Sequence, residues 1–204
     1  AIVAPTVGGL VAGFFGYRIL FALGAAIAAS DILLVRYLEQ REESMRFSLD
    51  FRGTGMRTAA AFSGQGAVEG LTSAATPLAA YLFTSAALNL GLLFSFFSLL
   101  SGLAVWILGH MSDRVRRRTP FLLVGPLLSV PACLLAATSR SLDTFALSVG
   151  ALSMTMNVAP SFIFTILVDR QETTVPQITI TREILLNMSR AIATGVGIAL
   201  LLIG

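Results

Sequence analysis

Long apolar runs closed at their ends by arginine leave this chain few folds to choose from. Gly91 to Leu108 carries no charged side chain, and neither does Phe121 to Thr138. Between them Gly109-His110-Met111-Ser112-Asp113-Arg114-Val115-Arg116-Arg117-Arg118 forms a dense knot of charge. A helix crosses about 30 Å of hydrocarbon with roughly 20 apolar residues, and a backbone in that setting must satisfy its own N–H and C=O groups. Two such runs joined by a basic loop predict neighbouring membrane helices whose shared end lies in the cytoplasm.

The same ruler applied to the whole chain predicts an all-α, polytopic membrane helix bundle of about seven spans. A truncated span covers 1–14, and others lie near 18–37, 58–83, 90–109, 120–138, 144–168 and 179–203. The chain is 55% hydrophobic and 12% charged, with a mean hydropathy of +0.83. Soluble domains carry about 25% charge, and a soluble core of this size could not hide so much apolar surface. Both ends read as cuts through a longer protein, because Ala1 opens inside an apolar run and Gly204 closes directly after one. No basic segment precedes the first run, so it does not read as a signal peptide.

Charge sets the orientation. The formal charge is +3 and the chain contains no lysine. Arg36, Arg41, Arg46, Arg52, Arg57, Arg114, Arg116, Arg117, Arg118, Arg170 and Arg182 fall on one side of the alternating spans, with Arg18 and Arg140 on the other and Arg190 inside a span. The arginine-rich side is predicted to be cytoplasmic, which places the polar stretch Glu39 to Arg57 and the loop 109–118 inside a cell-membrane, multi-pass protein. Arginine in short loops between apolar runs reads as topology and not as a nucleic-acid footprint, so the bilayer is the expected partner.

Two motifs resemble the major facilitator superfamily of secondary transporters. Gly109, Met111, Asp113, Arg114, Arg117 and Arg118 match that family's loop signature, with Arg116 standing where the family usually has glycine. Ala4-Pro5-Thr6-Val7-Gly8-Gly9-Leu10, followed by Gly16-Tyr17-Arg18 and Phe21, resembles the end of its fifth helix and the turn into the sixth. The resemblance implies the major facilitator fold, from late in the fifth helix through the eleventh. Residues 1–37 would then end the N-terminal bundle, 38–57 form the central cytoplasmic linker, and 58–204 hold helices seven to eleven of the C-terminal bundle. It further implies a secondary transporter that moves a small solute by alternating access, driven either by an ion gradient, with a proton or cation as coupling ion, or by the solute's own gradient. It implies a cytoplasmic gate too, in which Asp113 meets a helix start in the other half and Arg117 bridges Asp113 to Asp169; the alternative is a loop that only anchors topology.

Ionisable side chains in hydrocarbon cost roughly 2.5–3.5 kcal/mol each on insertion scales, so those inside spans mark function or a partner. Gln65, Glu69, Thr72 and Thr76 recur at helical spacing and form one polar stripe. It either lines the transport cavity, with Glu69 binding a cationic substrate or the coupling proton, or holds two helices together. Glu183, Asn187, Arg190 and Thr194 form a second stripe, in which Arg190 either binds an anionic group, pairs with a neighbouring helix or reaches the interface. Asn157, Ser161 and Thr165 share a face, and Asn157 is either a cavity residue or a helix-bonding one. Gly64, Gly66 and Gly70 with Pro77 suit either bending or close packing, whereas Gly91, Ser95, Ser98 and Gly102 read as packing. His110 reads as interfacial.

Catalytic machinery is not expected. The chain has one histidine and one cysteine, Cys133, which reads as a small packing residue. It lacks G-x-S-x-G and the Walker G-x-x-x-x-G-K, so no enzyme activity, metal site or cofactor is predicted. The rival to transport is a membrane sensor or scaffold that keeps the transporter fold without moving a solute.

Overall fold

A computed structural model of the chain describes residues 2–35, 55–115, 119–158, 160 and 175–203. Among these residues there are seven helices and no strand: α1 (Ala4–Phe15), α2 (Tyr17–Val35), α3 (Met56–Phe83), α4 (Ala87–Val115), α5 (Thr119–Ala137), α6 (Leu142–Met156) and α7 (Val175–Ile203). Among the described residues three stretches are long and apolar enough to cross a membrane: Tyr17–Leu34, Ala87–Ser112 and Thr179–Leu200. The helix α3 has 28 residues and is about 42 Å long. It stays outside that set because Gln65, Glu69 and its many glycines, serines and threonines dilute the apolar content.

Local chemistry explains the boundaries. Pro5 sits in the first turn of α1, where its missing N–H removes no helical bond. Gly16 adopts φ +81°, a conformation open to glycine, and its N–H closes the helix on the Ala12 carbonyl at 3.0 Å before α2 begins at the next residue. Ser141 and Thr144 form a reciprocal capping box at the start of α6.

Two close crossings organise the packing. The helices α3 and α7 meet where Gly66 and Gly70 face the Leu186 and Arg190 backbone. A Cβ on those glycines would lie 2.5 Å from the Leu186 carbonyl oxygen and 2.6 Å from that of Arg190. On the other side of the molecule Gly9 of α1 meets Gly91 of α4, where a Cβ on Gly91 would lie 2.5 Å from the Pro5 carbonyl oxygen. Small residues at such points let backbones approach and gain dispersion contact along their length. Thr6 reinforces the second crossing by donating from its backbone N–H to Ser95 Oγ at 3.0 Å. Helix α6 packs on α4 and forms a hairpin with α5. Ala80, Leu93, Phe97, Phe145 and Val149 form a core cluster among α3, α4 and α6, with the Phe83 and Phe145 rings 4.9 Å apart.

The outward faces are apolar. Leu82 is 85% exposed, Phe14 78% and Phe21 74%. Soluble monomers rarely show apolar surface on this scale, which is compatible with a membrane location.

Several sequence expectations change. The span expected at 90–109 runs on to Val115, so Gly109 to Arg114 form the last turns of α4 instead of a loop. Arg57 belongs to the first turn of α3, while the rest of the expected linker up to residue 54 lies outside the described residues. The span expected at 144–168 is interrupted after Met156, with Asn157 in a turn and Val158 and Pro160 helical again; residues 161–168 lie outside the described residues. Pro160 supplies the reason, since it lacks the N–H that would bond the Met156 carbonyl. Ser161 and Thr165 lie outside the described residues. Cys133, expected in packing, is exposed. Of the three helix-loosening glycines, Gly66 and Gly70 are packing residues, and Gly64 meets nothing within 4 Å. The small face of α4 is divided: Gly91 and Ser95 contact α1, whereas Ser98 and Gly102 line a cavity.

Candidate functional site

Helical periodicity puts Gln65, Glu69, Thr72 and Thr76 on one side of α3, near the middle of its length. Gln65 Nε2 donates to Glu69 Oε1 at 2.7 Å. Glu69 Oε2 accepts from Arg190 Nε of α7 at 2.9 Å and also from Arg190 Nη2. This ion pair joins residues far apart in sequence, and the Gly70 contact makes it possible by bringing the Arg190 backbone against α3. Arg190 lies near the middle of α7 as well.

The polar stripe on α7 continues the network. Arg190 Nη1 donates to Asn187 Oδ1 at 3.1 Å, and Asn187 Nδ2 to the Glu183 carbonyl at 2.8 Å. Thr194 Oγ1 donates across the crossing to the Gly70 carbonyl at 3.1 Å. Each charged group therefore has an oppositely charged partner and at least one neutral one. Removing charges from water costs several kcal/mol per ion, and such a network is the means by which that cost is offset.

A cavity of about 530 Å³ opens beside the pair, lined by Glu69, Thr72, Thr76, Ser153, Asn157 and Arg190 among others. A second, of about 820 Å³, shares Thr76, Ser153 and Asn157 and adds Phe94, Phe97 and Ser101 from α4. A third, of about 410 Å³, lies on the other side of Gln65 and Glu69, against Gly125 and Pro126 of α5. Volumes of this order are those of small-molecule sites. The hydroxyl protons of the lining are turned into the helices: Thr72 donates to the Val68 carbonyl at 2.8 Å, Ser73 to that of Gly70 at 3.0 Å and Ser153 to that of Val149 at 2.8 Å. Asn157 Nδ2 donates to Ser101 Oγ at 2.7 Å, which ties the turn after α6 to α4.

All five residues expected along a substrate or ion pathway, Gln65, Glu69, Thr72, Asn157 and Arg190, come together around these adjoining cavities. Glu69 and Arg190 face each other, an arrangement in which neither presents an isolated charge. The expected gate is described only in part. Gly109, Asp113 and Arg114 lie in the last turns of α4, and Arg114 is exposed. The side chain of Asp113, and Arg117, Arg118 and Asp169 altogether, lie outside the described residues. Among the described residues no group of three His, Cys, Asp or Glu side chains could hold a metal ion.

Sequence reasoning missed Ser153, Ser101 and the aromatic pair Phe94 and Phe97. Ser153 is one helical turn before Asn157, and that spacing was the available signal. Arg182, read from the sequence only as a mark of orientation, bonds Glu183 at 2.7 Å and lies 6.0 Å from the Phe62 ring centroid. Comparison of the chain with family profiles, with curated proteins and with solved structures finds no match.

Proposed function

We propose that this chain is a secondary active transporter of the major facilitator type, with about seven membrane spans, in the cell membrane. The observation that carries this reading is the polar cavity beside an ion pair at mid-height of two long helices, in a molecule whose outward faces are apolar. Secondary transporters place substrate and coupling-ion sites near the bilayer midplane. In this reading the α3–α7 crossing and the α1–α4 crossing are two seams that exchange open and closed states around the cavity. A coupling proton or cation acts by competing with Arg190 for Glu69, which loosens the α3–α7 seam. The polar stretch before α3 and the cytoplasmic end of α4 with the residues that follow it, 109–118, lie in the cytoplasm, with Asp113, Arg117 and Asp169 as the inner gate.

The Glu69–Arg190 bond itself also favours a second reading, a non-transporting sensor or scaffold in which the pair only ties two helices. Such a tie has no use for the cavity next to it. Site-directed thiol labelling separates the two. With Cys133 replaced by serine, Ser101→Cys in the full chain is exposed to a membrane-impermeant thiol reagent added to either side of sealed vesicles. Alternating access predicts labelling from both sides; labelling from one side alone, or from neither, would favour the scaffold.

A further inference from the structure

The geometry points to an uncharged, polyhydroxylated small molecule as the solute of this cavity, an inference that rests on the transporter reading above. Charge is the first ground. The described lining holds one carboxylate and one guanidinium, and they bond each other. Glu69 Oε1 is further occupied by Gln65, and Arg190 Nη1 by Asn187. An anion binding Arg190 competes with Glu69, and a cation binding Glu69 competes with Arg190, so a charged solute weakens the pair that the coupling ion alone is meant to loosen. A neutral solute leaves the pair intact and avoids that competition.

Hydrogen-bond polarity is the second ground. Thr72, Ser73 and Ser153 commit their protons to carbonyls of their own helices, so each hydroxyl oxygen turns lone pairs to the cavity. A wall of this kind is met by a solute rich in O–H donors. Apolar and aromatic surface is the third, because the half-buried Phe94 borders the adjoining space and can cover the C–H face of a polyol chain or ring. Either volume, about 530 or about 820 Å³, accommodates a molecule of five or six carbons.

Uptake into liposomes holding the full chain tests this with four radiolabelled probes. Sorbitol and xylitol are the uncharged polyols, gluconate adds a carboxylate to the same carbon skeleton, and choline supplies a cation. The expected result is polyol uptake severalfold above empty liposomes, with gluconate and choline at the empty-liposome rate. Ser153→Ala should raise the KM for the transported polyol by about three- to tenfold with kcat little changed, the effect of one lost neutral hydrogen bond. Thr72→Val, nearly the same shape, should do the same, and thermal unfolding of both variants in detergent verifies that they fold. Preference for gluconate or choline would overturn the inference and leave the transporter reading intact. So would failure of every probe to enter while Ser101→Cys is labelled from both sides. Labelling from a single side would remove the transporter reading and this inference with it.

Discussion

Glu69 and Arg190 each remain stable within an apolar bundle because of the other. In the structure their side chains are 31% and 40% exposed, so the pair is worth less than a fully buried one. Glu69→Gln or Arg190→Gln should each destabilise by about 1–2 kcal/mol, below the ~3–5 kcal/mol of a buried pair broken on one side. The double variant should lose less than the sum of the two. Thermal unfolding of the four proteins in detergent measures this, and strict additivity would show that the pair contributes nothing. The polarity of both residues was legible from spacing alone, since a charged group in an apolar run needs a reason to be there. Their partnership was not, because periodicity along one helix carries no information about which face of which other helix it meets. Asn157 shows the same limit: its place beside Pro160 was readable, but its bond to Ser101 depends on α4 lying next to the end of α6.

Element by element, contact at the glycines decides how closely helices lie. Gly66→Ala and Gly70→Ala each drive a Cβ into backbone of α7, and because backbone cannot rotate away the helices must separate. A loss of about 1–3 kcal/mol is expected for each, the usual cost of overpacking. Gly64→Ala, on the same helix with open space around it, should be neutral or slightly stabilising through helix propensity. Unfolding midpoints that rank Gly64→Ala with the other two would rule out the crossing as drawn. Ser141→Ala removes the α6 cap and should cost about 1 kcal/mol. The helical nature of the apolar runs was legible, and their ends less so. Helix α4 carries its hydrogen bonding through Asp113 and Arg114 because charge does not break a helix, whereas a turn at Asn157, three residues before Pro160, interrupts the helix after α6 although the surrounding residues stay apolar.

At the scale of the molecule, orientation follows from arginine placement. Under the transporter reading, Arg114→Cys should react with an impermeant thiol reagent only after cells are permeabilised, and Ser139→Cys in intact cells, both with Cys133 replaced by serine. The opposite pattern would invert the assignment of sides. The sequence by itself determined that the chain is helical, that it suits an apolar surrounding and that polar residues recur along single faces of α3 and α7. These are local or compositional properties: hydropathy acts residue by residue, and the helical repeat is a property of one segment. Only the tertiary structure decided that the two polar faces meet, that Glu69 is neutralised by Arg190, and that Thr76, Ser153 and Asn157 border two cavities at once. Those outcomes depend on which helices approach closely, and that was settled by glycines whose two possible uses, bending and packing, look alike along the chain.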